Sequence, residues 1–414
     1  MKKRITVKCI GLLFVLLLLT ACAPKQTAVP VPAETPAPTP VIALISEHDG
    51  GVIRLNDEVI TTYWETDFAD SLDYLKENCF KSTYEAHDGQ DLQLHWSGGT
   101  APYTVEYAMD PDFQTSVSLT TERDRIRPGD LYPHTAYWYR VTDAEGNTSA
   151  EGSFVSGDGP RIILARERVD SSGVKNVRDL GGYAAADGKT VKYGMLYRGG
   201  MFLYPNGTAN KTHRLTDYGR AVIGRWGLKT EIDLRDDSDF GGQTEAAFEN
   251  CAYLRVTYRG YTSIFPSDTA TDTVYYDERS PEAFRQIFSL LAEEQNYPVY
   301  FHCLIGQDRT GTLAYLILGL LGVDFEDITK DYELSAFSAV GSMNREKDWN
   351  YSGDGVPMGT HHVDRVWETM NAMMLQYYGT DSGLLSDAVA NYLLRECGIT
   401  EEQIASVRAI LLED

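Results

Sequence analysis

Residues 298–321 read PVYFHCLIGQDRTGTLAYLILGLL. The short apolar run up to Cys303 predicts a buried strand, Gly306 predicts a tight turn, and the apolar stretch after Arg309 predicts a helix. A loop that joins a strand to the N-terminus of a helix directs successive backbone N–H groups, and the positive end of the helix dipole, at one point. The stretch therefore predicts an anion site with Cys303 beside it.

Strands and helices alternate on both sides of this stretch, beginning after Pro160. Strands are predicted at 194–198, 231–235 and 298–303, and helices at 216–226, 281–294 and 310–321. This order predicts an α/β fold class over residues 161–414, with a mostly parallel sheet flanked by helices. Ligands of such sheets bind beyond the carboxyl ends of the strands, which is where Cys303 stands.

Residues 41–160 follow a different period. Apolar and polar residues alternate at 92–96, 103–107 and 137–141. Runs of period two that are separated by turns predict an antiparallel β-sandwich, which would precede the α/β domain. Before the sandwich pattern we expect a strand at 51–55 that continues at 58–60, and a short helix near 71–77.

The first residues predict an export signal, because basic residues precede an apolar run at 10–19 that is too short to span a membrane comfortably. The run ends in LTAC at 19–22, which resembles the lipobox of bacterial lipoproteins; an ordinary signal peptide cut near Ala21 is the alternative. We expect a lipoprotein signal peptide at 1–21, lipidation of Cys22, and a Pro-rich tether at 22–40. The protein would then be extracytoplasmic and lipid-anchored to a bacterial membrane.

The formal net charge is −23 over 414 residues. A protein that gains affinity by neutralising nucleic-acid phosphates presents excess Lys and Arg, so this charge excludes a general nucleic-acid binder. An anionic ligand must therefore meet a local positive site.

Six cysteines are present, of which Cys9 and Cys22 fall in the processing segment. The other four, Cys79, Cys251, Cys303 and Cys397, are scattered without the close spacing of a disulfide framework. We expect them to be mostly free thiols.

Transfer of a phosphate monoester to a nucleophile needs an anionic attacker, hydrogen-bond donors for the phosphate oxygens, and a proton for the leaving group. A cysteine at a helix N-terminus beside positive charge is expected to be a thiolate, which makes Cys303 the candidate nucleophile. Arg309 can fork onto two phosphate oxygens. The expected phosphate-binding residues are Leu304, Ile305, Gly306, Gln307, Asp308 and Arg309.

Two neighbours of the loop have expected supporting roles. Thr310 can donate its hydroxyl to the sulfur and ease its departure from a thiophosphate. His302 precedes the nucleophile in the strand, so it is expected to orient the loop from behind rather than act as a base.

The loop HCLIGQDRTG at 302–311 resembles the signature of the cysteine-dependent protein tyrosine phosphatase superfamily, and in detail that of bacterial tyrosine and dual-specificity phosphatases. Two further segments resemble elements of that branch: NVRDLGGY at 176–183 and LYRGG at 196–200. DYELS at 331–335 fits the same order, and the resemblance covers about residues 165–400. It implies a tyrosine-phosphatase-like fold and a phosphatase that works through a cysteinyl-phosphate intermediate, without metal or cofactor.

One position departs from that resemblance, because Gln307 stands where the branch usually has lysine. The missing positive charge makes activity on lipid phosphates less expected. Protein phosphotyrosine is therefore the substrate class implied first, with a phosphoinositide or an inositol phosphate as the alternative.

The proton donor has several candidates. The resemblance favours an aspartate inside the loop, Asp308, although the same residue can instead brace the loop by accepting backbone N–H bonds. Other relatives use an aspartate on a separate loop, for which the candidates are Asp268, Asp272 and Asp277. Arg178 and Asp179 can contact the loop or substrate, but an Arg-Asp pair before Gly-Gly is equally typical of a structural turn.

Upstream, LYPHTAY at 131–137 resembles a turn of fibronectin type III domains in which a tyrosine hydroxyl closes onto nearby backbone. Trp96 would be the core tryptophan of that domain. The resemblance implies a spacer or a protein-contact module at 41–160.

Three functions stay open at this point. The first is a phosphatase whose partners are a phosphorylated protein or a small phosphate ester, held at the membrane by its lipid anchor, with no nucleic-acid partner. The second is a catalytically silent surface lipoprotein that binds phosphorylated ligands. The third is another thiol enzyme, such as a sulfurtransferase or an arsenate reductase.

Overall fold

The computed structural model describes residues 42–45, 50–79, 92–164, 174–202, 215–237, 243–266, 276–338, 344–346 and 365–414. The expected signal peptide and tether, with Cys22, lie outside these residues, as do Asp268 and Asp272. No helix in the described part of the chain is both long and apolar enough to cross a membrane.

The N-terminal half, by which we mean residues 42–160, contains two sheets. Its strands are β1 (Ala43–Ile45), β2 (Val52–Ile53), β3 (Leu94–Ser97), β4 (Tyr103–Ala108), β5 (Ser116–Thr121), β6 (Arg125–Ile126), β7 (Ala136–Thr142) and β8 (Gly152–Ser156). One sheet has the order β1-β3-β6 and the other the order β2-β8-β7-β4-β5. The alternating residues Trp96, Val105, Tyr107 and Tyr139 are buried in one hydrophobic cluster, as their period-two pattern predicts. The hydroxyl of Tyr137 accepts a hydrogen bond from the backbone N–H of Tyr132 at 2.8 Å.

Two helices follow β2: α1 (Glu58–Glu65) and α2 (Phe68–Cys79). The helix expected near 71–77 is confirmed, but the strand expected at 58–60 is wrong. Asp57 caps α1 there, because its carboxylate accepts a hydrogen bond from the backbone N–H of Ile60 at 2.9 Å. Ile60 and Tyr63 then form a buried face with Leu75.

The C-terminal half is built on a six-stranded sheet. Its strands are β9 (Ile162–Leu164), β10 (Val177–Asp179), β12 (Leu196–Gly199), β13 (Thr230–Asp233), β14 (Ala252–Arg255) and β15 (Val299–His302), while β11 (Thr190–Val191) pairs separately with β16 (Leu412–Glu413). The sheet order is β14-β13-β15-β12-β10-β9. The four strands from β14 to β12 are parallel, and β10 and β9 add antiparallel pairs at one edge. The mixed α/β architecture expected for this half is confirmed.

The described residues of this half also form helices. They are α3 (Asp217–Ile223), α4 (Ser280–Leu291), α5 (Asp308–Leu321), α6 (Phe325–Glu333), α7 (Val366–Tyr378), α8 (Leu385–Glu396) and α9 (Glu401–Leu411). Short 3-10 turns lie at Ala186–Gly188, Gly224–Trp226, Tyr261–Ile264, Glu294–Asn296 and Leu334–Phe337. Every residue of α5 from Thr310 to Leu321 is buried, so this helix is the core of the domain and fixes the direction of the loop before it.

The two halves pack against each other within one compact unit. The hydroxyl of Tyr63 in α1 donates to Glu333 at 2.7 Å, and Lys330 donates to the carbonyls of Trp64 and Thr66. These contacts attach α1 to α6 of the C-terminal half.

Candidate active site

Cys303 follows directly on β15, between the carboxyl ends of its two parallel neighbours. His302 is in register with Gly199 of β12 on one side and with Asp233 of β13 on the other. Five residues after Cys303 the chain enters α5 at Asp308. The strand, loop and helix expected from the sequence are therefore present, and Cys303 is buried with 2% of its surface exposed.

Gly306 gives the loop its shape. Its φ is +77°, and a Cβ at this position would lie 2.3 Å from the carbonyl carbon of Gly199. Only glycine fits this close approach to the end of β12. The loop is thus fixed against the sheet at its middle residue.

The carbonyl groups of the loop are held from outside. The Asn176 amide donates to the carbonyl of Gly306 at 2.9 Å and to that of Ile305 at 3.3 Å, and Arg198 donates to Gly306 at 3.0 Å. The carbonyl of Leu304 accepts from the backbone N–H of Met201 at 3.3 Å. Within the described residues the backbone N–H groups of 304–307 donate to no acceptor. Carbonyls drawn outward leave these N–H groups for an anion inside the loop.

A buried ionic network stands behind Asn176. Arg178 donates to Asp331 at 2.7 Å, Arg198 donates to the other oxygen of the same carboxylate, and Arg178 also donates to the carbonyl of Asn176. Burial raises the pKa of Asp331, but Arg178 and Arg198 outweigh it and hold that pKa below its ordinary value. Arg178 therefore acts on the loop through Asn176, and it does not touch the loop itself in the contacts described.

Asp179, the neighbour of Arg178, lies elsewhere. Its carboxylate accepts from the backbone N–H groups of Gly181 at 2.8 Å and Gly194 at 2.7 Å, and pairs with Arg161. These bonds are those of a structural turn, the alternative that the sequence left open for this residue. The structure does not bring Asp179 to the loop.

Asp308 begins α5, and its carboxyl group is close to tyrosine hydroxyls. Tyr261 donates to Asp308 Oδ1 at 2.6 Å, and Tyr261 and Tyr332 share a hydrogen bond of 2.8 Å. Burial raises the pKa of Asp308, against the opposite effects of Tyr261 and the guanidinium of Arg309. A carboxyl group with a raised pKa is suited to carry a transferable proton.

Asp277, a competing proton donor, is engaged in a turn. It accepts from the backbone N–H of Arg259 at 2.6 Å and from the guanidinium of Arg279 at 2.7 Å. Burial raises the pKa of Asp277, but the bonds from Arg279 and the backbone lower it below the ordinary value. A carboxylate held in its charged form is a poor acid, so the geometry favours Asp308 over Asp277.

Arg309 lies on the first turn of α5. Its guanidinium donates to the carbonyl of Leu234 at 3.0 Å and is 3.9 Å from Asp236, at the carboxyl end of β13. The hydroxyl of Tyr258 donates to the Arg309 carbonyl at 2.5 Å. The positive group therefore lies at the same end of the sheet as the loop.

His302, Gln307 and Thr310 surround the loop with buried polar atoms. His302 is fully buried, with Nε2 3.1 Å from Glu231 and Nδ1 3.1 Å from the carbonyl of Cys303, which fits an orienting role. Among the described residues, Gln307 Nε2 and the Thr310 hydroxyl have no hydrogen-bond partner. The expected bond from Thr310 to the sulfur is accordingly not formed in this state. Unpartnered buried donors beside an anion loop are available to a bound ligand.

The other described cysteines have different surroundings. Cys79, Cys251 and Cys397 are unpaired, and burial raises the pKa of each thiol to about 12. Thiols with such pKa values are poor nucleophiles at neutral pH.

Sequence reasoning named Cys303, Arg309 and Asp308 but assigned no role to Asn176, Arg198, Asp331 or Tyr261. Three of these lie in segments whose resemblance was visible, namely 176–183, 196–200 and 331–335. The family resemblance identified these segments but did not predict the contacts between them.

Comparison with known proteins agrees with this geometry. A family model described as the tyrosine phosphatase family matches residues 169–413. A tyrosine-protein phosphatase of Nostoc commune is 27% identical over 218 residues, which cover 48% of this chain and 71% of the relative. The triple specificity protein phosphatase PtpB of Mycobacterium tuberculosis is 23% identical over 287 residues, which cover 58% of this chain and 97% of the relative. The chain belongs to the tyrosine phosphatase family, and it is a phosphoric monoester hydrolase.

Proposed function

We propose that the protein hydrolyses phosphate monoesters of protein phosphotyrosine through a cysteinyl-phosphate intermediate on Cys303. The observation that carries this proposal is the loop at 303–308, whose carbonyls are held outward while Cys303, Arg309 and Asp308 gather at one end of the sheet. Backbone N–H groups and Arg309 bind the three equatorial phosphate oxygens.

In the first step the Cys303 thiolate attacks phosphorus. The S–P bond forms as the P–O bond to the leaving group breaks, and the Asp308 carboxyl gives its proton to the departing oxygen. In the second step the Asp308 carboxylate takes a proton from water, whose oxygen bonds to phosphorus as the S–P bond breaks. The cycle returns the thiolate and the protonated acid, with inorganic phosphate as product.

The charge of the loop supports phosphotyrosine over a phosphoinositide or an inositol phosphate. Position 307 is a neutral, buried glutamine, so Arg309 is the cation that the loop itself supplies. A headgroup with several phosphates requires further positive charge at the site. A panel of a phosphotyrosine peptide, a phosphoserine peptide, a phosphoinositide and an inositol polyphosphate tests this assignment, and a preference for either inositol compound would contradict it.

Substitution of the nucleophile tests the mechanism. Cys303→Ser is expected to abolish hydrolysis of a phosphotyrosine peptide in the presence of a metal chelator, whereas Cys251→Ser, at a half-buried cysteine, should keep it. A Cys303→Ser protein that retains full turnover would refute the cysteinyl-phosphate intermediate. Stoichiometric binding of the peptide by the unchanged protein without release of phosphate would instead favour the silent binding protein.

We further propose that residues 41–160 are a fibronectin type III-like spacer and that the chain is anchored outside the cytoplasm by lipid on Cys22. The shared hydrophobic cluster of the two N-terminal sheets and the Tyr137 hydroxyl bonded to Tyr132 support the first assignment. The LTAC motif supports the second. Cys22→Ala should move the protein from the membrane fraction to the soluble fraction, and an unchanged membrane fraction would contradict the anchor.

A further inference from the structure

The segment 258–261 lies across the start of α5, and the mechanism above leaves it without a role. Tyr258 donates to the Arg309 carbonyl at 2.5 Å. A Cβ on Gly260 would come within 2.8 Å of the Thr312 hydroxyl. The backbone N–H of Tyr261 donates to that same hydroxyl at 2.8 Å, and the hydroxyl in turn donates to the Asp308 carbonyl at 3.0 Å. The segment is thus attached to the first turn of the helix that carries the loop arginine and the proton donor.

Tyr261 adopts a conformation that large side chains rarely take. Its φ is +58°, in the left-handed region, where a residue with a bulky side chain is an outlier. Such outliers persist where the surrounding structure fixes them, and they cluster at functional sites. The bond from the Tyr261 N–H to Thr312 and the close approach at Gly260 supply that fixation here.

The hydrogen bonds around Tyr261 have a definite direction. A phenol has one hydrogen, and Tyr261 uses it to donate to Asp308 Oδ1 at 2.6 Å. The hydrogen in the 2.8 Å bond between Tyr261 and Tyr332 must therefore come from Tyr332. Tyr332 stacks on Trp367 with ring centroids 4.0 Å apart, so it has little freedom to turn away. The result is a chain of donors from Tyr332 through Tyr261 to Asp308, and each bond strengthens the next.

We propose that Tyr261, held by Tyr332, is a positioning residue that aims the Asp308 carboxyl and stabilises the carboxylate left when its proton moves to the leaving group. The inference rests on the proposed function, in which Asp308 is the proton donor. Oδ1 remains bonded to Tyr261 throughout, and Oδ2 carries the proton that is given up and later regained from water. Burial raises the pKa of Tyr261 well above its ordinary value, so its hydroxyl stays a donor across the working range.

The expected pH dependence follows from the charges that face Asp308. These are the guanidinium groups of Arg309 on its own helix and Arg198 on β12, together with the hydroxyls of Tyr261 and Tyr332. Both arginines and the Tyr261 hydroxyl favour the carboxylate, and burial opposes it. Removal of the Tyr261 hydroxyl takes away one stabiliser of the charged form, so the pKa of Asp308 rises further. Since the acid must be protonated, the basic limb of the kcat/KM profile then moves to higher pH.

Two esters that differ in leaving group test the proposal. Phenyl phosphate needs protonation of its leaving oxygen, whereas 4-nitrophenyl phosphate leaves readily as an anion. Tyr261→Phe is expected to lower kcat/KM about tenfold for phenyl phosphate, a fraction of what a general acid supplies, and less than about threefold for 4-nitrophenyl phosphate. Tyr258 lies in the same segment, but its hydroxyl bonds the backbone carbonyl of Arg309 and not the Asp308 carboxyl. Tyr258→Phe should therefore lower kcat/KM equally for both esters and leave the basic limb of the pH profile in place.

Equal losses on both esters after Tyr261→Phe, with an unmoved basic limb, would overturn the proposal. Tyr332→Phe keeps the hydrogen bond from Tyr261 to Asp308 and removes only the hydrogen bond from Tyr332 to Tyr261. We therefore expect a smaller loss of kcat/KM that is again greater for phenyl phosphate than for 4-nitrophenyl phosphate. This variant keeps the test usable if Tyr261→Phe lowers the melting temperature. Asp308→Asn distinguishes a failure of the proton-donor assignment from a failure of the positioning role of Tyr261. If it shows no dependence on leaving group, the proton donor itself is misassigned; if it does and Tyr261→Phe does not, the positioning role alone fails.

Discussion

Substitution of Asn176 offers a direct test of how the phosphate loop is held. The side chain is buried, and its amide contacts the carbonyls of Gly306 at 2.9 Å and Ile305 at 3.3 Å and the hydroxyl of Ser335 at 3.0 Å. An NH₂ group has two hydrogens, and the side-chain oxygen of Asn176 accepts from Arg178. Asn176→Ala therefore removes three hydrogen bonds, worth about 1 kcal/mol each. Asn176 also has a φ of +61°, where alanine is strained by about 1–2 kcal/mol. Together these effects predict a loss of about 4–5 kcal/mol in the free energy of unfolding.

The functional part of this prediction concerns anion binding. With the amide gone, Arg198 remains on the Gly306 carbonyl but the Ile305 carbonyl loses its donor, so the N–H groups of the loop are no longer fixed inward. We expect the inhibition constant of inorganic phosphate to rise about tenfold, the equivalent of one weakened charge-assisted bond. Urea unfolding measures the first effect, and competition against 4-nitrophenyl phosphate hydrolysis measures the second.

A matched variant makes the result decisive. Asn56 is also fully buried, and its amide donates to the Pro160 carbonyl at 3.0 Å, in the N-terminal half. Asn56→Ala should destabilise the protein while leaving the inhibition constant of phosphate unchanged. If the two variants have the same inhibition constant at matched stability, the loop is not held by Asn176 and the reasoning about outward carbonyls is refuted.

Three further predictions follow from other contacts. Tyr63→Phe removes the 2.7 Å bond to the buried Glu333 and should cost about 1.5–3 kcal/mol in urea unfolding; an unchanged midpoint would contradict the attachment of α1 to α6. The pKa of Asp331 is lower in the folded protein than in the unfolded chain. The Asp331 carboxylate therefore stabilises the fold at pH values above its unfolded pKa, and this stabilisation is lost as the pH falls through its folded pKa. The melting temperature of Asp331→Asn should therefore vary less with acid pH than that of the parent, and parallel curves would contradict this. Gln307→Lys restores a cation beside the loop and should raise kcat/KM for an inositol polyphosphate relative to a phosphotyrosine peptide; an unchanged ratio would show that position 307 does not select the substrate.

The parts of the structure that the sequence predicted are local in the chain. The strand before Cys303 and the helix after it are confirmed at β15 and α5, because apolar periodicity and a single glycine specify both within about twenty residues. The strands expected at 194–198 and 231–235 are likewise confirmed at β12 and β13, within two residues at each end. The sequence also identified Cys303, Asp308 and Arg309, because all three lie within the short segment 303–309.

The parts that the sequence missed depend on contacts between distant segments. Asn176, Arg198 and Asp331 meet only because β10, β12 and α6 come together in the fold, and no periodicity records that meeting. The error at 58–60 has the same origin. The β-branched residues Val59 and Ile60 suit a strand, but the cap at Asp57 and the burial of one helical face make this segment a helix.

The site also depends on the N-terminal half, although the hydrophobic period of the sequence changes at Pro160. Tyr63 in α1 donates to Glu333, the last residue of α6, and a buried carboxylate cannot shift without losing such a donor. Two residues later Ser335 accepts from Asn176, and the same amide holds the carbonyl of Gly306. The end of α6 is therefore fixed from one side by α1 and transmits that position to the phosphate loop on the other. A change of hydrophobic period along a chain marks a change of secondary structure, whereas hydrogen bonds connect α1, the end of α6 and this loop across that boundary.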